Sequence, residues 1–163
     1  MEFFHFMQYP GYNSGNVILS EGEWFPFKIH NIVQLQDDAW YFVLQDINGM
    51  KHFMAAENYK SYGFVVGDQI QCKIDKVNCT GRVFLEPKHP VYKEGEIYYF
   101  DFISHSDSGN ESVILVRENS GNIVEVVVNG TKKVDINDEK RVRCSVKSIA
   151  KGRLILEILP DYT

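Results

Sequence analysis

Apolar and polar residues alternate along several short stretches of the chain, which is the pattern of half-buried β-strands. Within residues 24–32 the apolar positions of one face are Phe25, Phe27 and Ile29, and polar residues fill the other face. Residues 57–62 instead predict a short helix, followed by a glycine that can provide a left-handed stop. Four further strands are predicted in this half of the chain: 40–45, 51–55, 69–77 and 82–86.

The same order of elements returns at an offset of 71 to 73 residues. Three segments repeat: 21–29 as 94–102, 72–77 as 144–149, and 81–86 as 152–157. The second half therefore predicts a matching set of strands: 97–103, 113–117, 123–128, 141–149 and 153–159. In the helix position, 129–133 is a poor helix former, and we expect a loop or a single turn. A repeat of this length is long enough to bury its own core.

The repeat predicts a duplicated module. We expect an N-terminal segment at 1–20 that packs on a barrel or a partner, a first repeat at 21–87, a short proline-containing linker at 88–93 and a second repeat at 94–163. Three strands, a helix and two strands is the order of the OB-fold, a small five-stranded barrel. The predicted fold class is all-β with a short helix, as two tandem OB-fold barrels held in a fixed relative pose by the stiff linker.

One part of each repeat resembles a known family, the S1-type RNA-binding domains. The resemblance lies in the Val-Gly-Asp of 66–68, which leads into the strand 69–77, and in the Gly-Arg-Val-Phe-Leu of 81–85. It covers about a third of each repeat, and in the second repeat Asn-Asp-Glu at 137–139 replaces the Val-Gly-Asp. The aromatics of 40–43 lack the glycines that S1 and cold-shock domains carry near their second strand. The resemblance implies RNA binding on a barrel face.

Composition places the chain among folded proteins of a reducing compartment. No apolar run approaches the ~18 residues of a membrane span, and the first twenty residues do not have the pattern of a signal peptide. Cys72 and Cys144 occupy matching strand positions, so we expect them to be core residues and not a disulfide. With Cys79 the cysteine count is odd, and a cytoplasmic location is the simplest expectation.

Charge alternates along the chain with the repeat. Residues 1–72 carry three Lys and eight acids, 73–93 five Lys/Arg and two acids, 94–130 one Arg and seven acids, and 131–163 eight Lys/Arg and five acids. The front of each repeat is therefore acidic and its back basic. This is either ordinary segregation of surface charge or a basic groove for a polyanion. The net charge of −5 argues against tight coating of DNA, which depends on Lys and Arg.

Enzymatic chemistry finds little support in the sequence. The histidines have no metal-ligand spacing to one another or to a cysteine, and we expect surface or barrel-rim positions for all five: His5, His30, His52, His89 and His105. The chain contains neither a phosphate-binding glycine loop nor a nucleophile elbow. We predict a protein that is not an enzyme and that needs no metal or cofactor.

Alignment of the two repeats predicts a binding face. Phe42 and Leu44 match apolar residues of the second repeat and should point inward, so Tyr41 and Val43 should point outward. Phe53 matches Glu125 and should also face out, beside Lys51. Exposed aromatics next to a lysine would stack bases. Two alternatives stay open: a register slip that exposes His52 instead, or coverage of the aromatics by the N-terminal segment or the other module.

Basic residues on the last two strands of each repeat and at their ends are candidate phosphate contacts: Lys73, Lys76, Arg82 and Lys88 in the first, and Arg143, Lys147 and Arg153 in the second, with Lys132 and Lys133 nearby. Arg117, on the second strand of the second repeat, matches Gln45 in the outward register and is a further candidate. Each could equally be a solvated side chain or pair with an acid.

We predict a protein that binds single-stranded nucleic acid, RNA in preference to DNA. Because the second repeat has Glu125 in place of Phe53 and a poor helix former at 129–133, we expect it to have a structural role. The alternative is a protein–protein interaction module, or a self-associating scaffold, that uses the barrel faces and the aromatic residues of 1–20.

Overall fold

The computed structural model describes residues 16–129 and 134–160. In this part of the chain, the segments in which apolar and polar residues alternate form β-strands. The first half holds β1 (Trp24–Gln34), β2 (Trp40–Gln45), β3 (Lys51–Ala55), a 3₁₀ helix (Ala56–Tyr62), β4 (Gln69–Val77) and β5 (Val83–Pro87). The second half holds β6 (Ile97–Ser108), β7 (Glu111–Arg117), β8 (Ile123–Asn129), β9 (Arg141–Ala150) and β10 (Arg153–Ile158). The predicted strand order of both repeats is confirmed.

The strands form two five-stranded antiparallel sheets with equivalent topology. The first has the order β3-β2-β1-β4-β5, and the second has β8-β7-β6-β9-β10. β1 and β6 are the long central strands, and each has a bulge where it pairs with the next strand, between Ile29 and Asn31 and between Phe102 and Ser104. The bulges bend these strands. In each sheet the two edge strands approach one another to Cα separations within 8 Å.

Each sheet buries its own apolar core. In the first, Phe25, Phe27 and Ile29 lie in the buried register of β1, as the alternation predicts. Cys72 and Cys144 are fully buried, one in each core, and all three cysteines are free thiols. The prediction that the matching cysteines are core residues is therefore confirmed.

The repeated Glu-Gly-Glu motif has a structural role. Glu21 accepts a hydrogen bond from the Val77 backbone N–H through its carboxylate (2.8 Å), and Glu94 accepts one from the Ile149 N–H (2.8 Å). The following glycine has a φ of 82° in the first copy and 84° in the second, a conformation that favours glycine. The motif anchors the start of one strand to the end of its neighbour, which explains why it recurs.

The helix and the ends of several strands differ from the sequence predictions; β1 continues to Gln34 and β7 begins at Glu111. The helix is of the 3₁₀ type and is interrupted at Tyr59, which has non-helical backbone angles; Gly63 ends it in the left-handed conformation, with φ 72°. β6 continues to Ser108 because its hairpin with β7 pairs as far as Ser108 and Glu111. Of the predicted loop at 129–133, Asn129 belongs to β8 and 130–133 lie outside the described residues.

Residues 16–20 of the N-terminal segment pack on the first sheet. The Val17 N–H donates to the Asn48 side-chain oxygen (2.8 Å), and the Asn48 amide donates back to the Val17 carbonyl (2.7 Å). Val17 and Leu19 contact the first core. Residues 1–15, which contain all the aromatic residues of this segment, lie outside the described residues.

A buried carboxylate joins the two halves. Glu86, at the end of β5, accepts hydrogen bonds from the Tyr59 hydroxyl (2.9 Å) and from the backbone N–H groups of Lys151 (2.8 Å) and Gly152 (3.0 Å), in the β9–β10 turn. Beside it, the His89 ring makes edge contacts with Tyr62. Burial raises the pKa of Glu86, although all three hydrogen bonds act in the opposite direction.

Candidate nucleic-acid interface

The outer face of the first sheet carries two of the predicted binding aromatics. Phe53 of β3 is 48% exposed, and Tyr41 of β2 is partly exposed. Phe42 and Leu44 fill the opposite register and are buried. Side chains alternate along each strand, so Tyr41 and Phe53 share the face away from the core.

Val43 departs from the predicted pattern. It shares the register of Tyr41 but is buried, with 7% of its surface exposed. Its cross-strand neighbours are Asn31 on β1 and Phe53 on β3, so it is a small side chain between two larger ones on an inner strand. His52, the residue that a register slip would expose, is largely buried and makes an edge contact with Phe27.

Tyr41 and Phe53 contact one another and are held in place. Their rings meet edge to face, with centroids 6.2 Å apart and an interplanar angle of 81°. The Tyr41 hydroxyl donates to an Asp37 carboxylate oxygen at 2.7 Å, from the loop between β1 and β2. This hydrogen bond is the main reason why the pKa of Tyr41 is raised and that of Asp37 is lowered. A ring fixed in this way loses little conformational freedom when a ligand stacks on it.

A cation–aromatic pair lies at the edge of the same face. The Arg82 guanidinium lies 4.9 Å from the centroid of the Phe84 ring, which is 39% exposed. Lys76 is the cross-strand partner of Phe84. The charge of Arg82 also acts on the Tyr41 hydroxyl, where it opposes the larger effect of Asp37 on the pKa. The close approach of β3 and β5 places the strand that carries Phe84 next to the strand that carries Phe53.

We call this surface the aromatic face; it consists of Tyr41, Lys51, Phe53, Lys76, Arg82 and Phe84. Lys51 is exposed on β3, two residues from Phe53. The turn before Arg82 is ordered, because the Asn78 side-chain oxygen accepts hydrogen bonds from the Thr80 N–H (3.1 Å) and the Arg82 N–H (2.8 Å). The face thus combines exposed rings and three cations on strands and ordered turns.

Two of the predicted cations lie elsewhere, along a groove between the sheets. Lys73 Nζ lies 3.3 Å from both carboxylate oxygens of Glu94 and is mostly buried. Lys88 is exposed and lines the same groove. These two lysines therefore belong to the groove and not to the aromatic face.

The cations of the second half are dispersed. Arg117 is exposed opposite Asp101, and Arg143 donates to the Pro160 carbonyl at 3.2 Å. Arg153 lines a cavity of about 600 Å³ that three glutamates also line. Lys147 pairs with Glu157 at 3.5 Å, and Lys132 and Lys133 lie outside the described residues.

The second sheet has no counterpart of the aromatic rings. In its matching register Tyr41 is replaced by Val113, Phe53 by Glu125 and Phe84 by Ile155. The β9–β10 turn of this sheet is engaged by Glu86 of the first. The structural role expected for the second repeat stays a prediction.

The histidine–carboxylate pair with the shortest separation serves the fold. His52 Nε2 lies 2.8 Å from an Asp46 carboxylate oxygen, but the same carboxylate accepts the Asn48 (2.8 Å) and Met50 (2.9 Å) backbone N–H groups. Asp46 therefore organises the β2–β3 turn. Among the described residues, no group of three or more His, Cys, Asp or Glu is arranged to hold a metal ion.

The sequence patterns were not used to predict a binding role for two exposed aromatic residues, Phe84 and Trp24. Phe84 alternates with the buried Val83 and Leu85, so its outward register could have been read from the sequence. Trp24 is 44% exposed and lines the groove between the sheets. Its position there depends on the second sheet, which the local pattern does not reveal.

Comparison with known proteins adds no family. No protein-family model matches the chain, and a search of curated proteins finds no significant match. Within the described residues, no helix has the length and apolar character needed to cross a membrane.

Proposed function

We propose that the chain is a pair of OB-fold barrels and that the first barrel binds single-stranded nucleic acid, RNA in preference to DNA, without catalysing a reaction. The observation that carries the proposal is the aromatic face, where Tyr41 and Phe53 lie beside the Arg82–Phe84 pair.

The sheet topology supports the barrel part of the proposal. In an OB-fold the first strand pairs with the second and the fourth, and the ligand lies on strands two and three between the 1–2 and 4–5 loops. β1 pairs with β2 and β4 here, and the edge strands approach one another. Arg82 of the aromatic face comes from the 4–5 loop, and Asp37, which holds the Tyr41 hydroxyl, comes from the 1–2 loop.

The chemistry of the face suits a flexible polyanion with planar bases. Stacking on an aromatic side chain contributes about 1–3 kcal/mol per base and tolerates any sequence. Lys51, Lys76 and Arg82 supply cations around the rings for the phosphates. Because the whole protein carries a net charge of −5, attraction must come from this local cluster and should weaken steeply as salt is added.

The preference for RNA rests on the S1-like strands, and the location on the cysteines. The Val-Gly-Asp of 66–68 and the strand at 81–85 are the residues that resemble S1 domains. Three free thiols, two of them in separate cores, fit a reducing compartment, and we include the cytoplasm in the proposal.

The test is an anisotropy titration of the full chain into labelled single-stranded RNA and DNA at low and moderate salt. A Tyr41→Ala/Phe53→Ala variant removes the two rings. The matched control is Val113→Ala/Glu125→Ala, which truncates the equivalent positions of the second sheet. We expect micromolar, salt-sensitive binding that only the first variant loses. No binding by the wild-type protein at low salt, or equal loss in both variants, would refute the proposal.

The alternative is a protein–protein interaction module. It is favoured by the second sheet, whose outer face exposes the aliphatic side chains of Ile123 (57%), Val127 (54%) and Ile155 (49%). An apolar interface resists salt, whereas phosphate contacts do not. Flat nucleic-acid titrations together with self-association that persists at high salt, measured by sedimentation, would support this alternative.

A further inference from the structure

The groove between the two sheets has the size and the lining of a ligand site. Its volume is about 650 Å³, within the usual range for small-molecule pockets. β1, β4 and the connection between the sheets contribute Trp24, Lys73 and Lys88, and β6 contributes Tyr98. Neither the aromatic face nor the fold accounts for an exposed tryptophan at this position.

The groove continues the strand surface that carries the aromatic face. Along β5, Glu86 follows Phe84 by two residues, and its backbone partner on β4 is Lys73. The next partner across the sheet, on β1, is Trp24. With strands about 4.8 Å apart and residues about 3.3 Å apart, the Cα atoms of Phe84 and Trp24 are separated by roughly 12 Å. A single-stranded RNA of a few nucleotides can reach both rings.

Glu94 restrains the lysine of this groove. Its carboxylate contacts Lys73 Nζ at 3.3 Å and also accepts the Ile149 N–H at 2.8 Å. The equivalent residue of the first repeat, Glu21, accepts the Val77 N–H in the same way. The ion pair that the structure gives Glu94 has no counterpart among the contacts of Glu21. Glu94 therefore keeps the structural role of the motif and also places a negative charge against Lys73 in the groove.

We propose that the groove is a second subsite for the same single-stranded nucleic acid, in which Trp24 stacks a base and Lys73 exchanges Glu94 for a phosphate. The inference rests on the proposed function of the aromatic face. Glu94 acts here as a built-in competitor that lowers the affinity of the groove for phosphate.

The first test frees Lys73 without disturbing the fold. Glu94→Gln keeps an amide oxygen for the Ile149 N–H but removes the charge that competes for Lys73. Glu21→Gln makes the same change where the structure gives no lysine contact and is the matched control. For RNA of about 16 nucleotides, Glu94→Gln should tighten binding, because Lys73 can then meet a phosphate without first leaving a carboxylate. The slope of log K against log salt should stay the same, because the number of phosphate contacts does not change. Glu21→Gln should not tighten binding.

The second test observes Trp24 directly. The chain has two tryptophans, so Trp40→Phe leaves Trp24 as the single reporter. Its fluorescence should change with RNA of about 16 nucleotides but not with RNA of about 4, which the aromatic face can hold alone. Trp24→Ala should weaken binding of the longer RNA about 5- to 100-fold and leave the shorter one unchanged.

The outcomes separate the two proposals. If RNA binds and the Tyr41→Ala/Phe53→Ala variant loses it, but Trp24 stays silent and Glu94→Gln behaves like Glu21→Gln, the groove subsite is refuted and the aromatic face stands. If the wild-type protein binds neither RNA, both proposals fail.

Discussion

Replacing Gly152 by alanine should separate the contribution of the contact between the two halves from ordinary backbone strain. Gly152 lies in the β9–β10 turn with a φ of 73°, and a Cβ there would overlap the backbone carbonyl oxygen of Asn58 in the 3₁₀ helix. The matching glycine of the first repeat, Gly81, has a φ of 81° and no atom within 4 Å of the added Cβ. Gly81→Ala is therefore a control that carries the strain alone.

The magnitudes follow from the two environments. A left-handed conformation costs a non-glycine residue about 1–2 kcal/mol, which is the expected effect of Gly81→Ala. Gly152→Ala must also move the turn away from Asn58, which weakens the hydrogen bonds from Lys151 and Gly152 to Glu86. A hydrogen bond to a charged group contributes about 1.5–3 kcal/mol. We expect Gly152→Ala to cost about 2 kcal/mol more than Gly81→Ala, or about 4–8 °C in Tm.

The assay is urea unfolding of both variants, followed by far-ultraviolet circular dichroism and by tryptophan fluorescence. Both tryptophans, Trp24 and Trp40, lie in the first half, so fluorescence reports that half while circular dichroism reports the whole chain. In Gly152→Ala the two signals should diverge more than in the wild-type protein, because the contact between the halves through Glu86 is weaker. Equal destabilisation by the two substitutions, within about 0.5 kcal/mol, would refute the reasoning.

Two further predictions concern titratable groups. His89 Nδ1 accepts hydrogen bonds from the Val91 and Tyr92 backbone N–H groups, and burial lowers the pKa of its imidazole. Neutral His89 therefore stabilises the folded protein fully above the unfolded-state pKa of about 6.5. This contribution to the unfolding free energy is lost as the pH falls towards the lower folded-state pKa. Between about pH 7.5 and 5.5 the wild-type protein should lose more unfolding free energy than His89→Asn, and equal losses would contradict this. Burial raises the pKa of the Cys144 thiol to about 12 and that of Cys72 as well, so a thiol reagent should label only Cys79 until urea unfolds the chain; rapid labelling of more than one thiol in the native protein would show that the cores open.

The strands and the duplication could be predicted from the sequence because both are local properties. A period of two residues places Phe25, Phe27 and Ile29 on one face whatever surrounds them. The repeated Glu-Gly-Glu and the matching cysteines mark equivalent positions without reference to distant residues. The outward register of Tyr41 and Phe53 followed from comparing the two repeats, because the core register must be apolar in both.

The candidate site depended on the tertiary structure wherever its neighbours come from elsewhere in the chain. Arg82 lies near Tyr41 because the edge strands of the first sheet approach one another, and Lys73 is paired because Glu94 enters from the second half. Val43 is buried by its cross-strand partners, although its register points outward. Side-chain alternation determines which face a residue takes, but exposure and charge at that face depend on residues that only packing brings together.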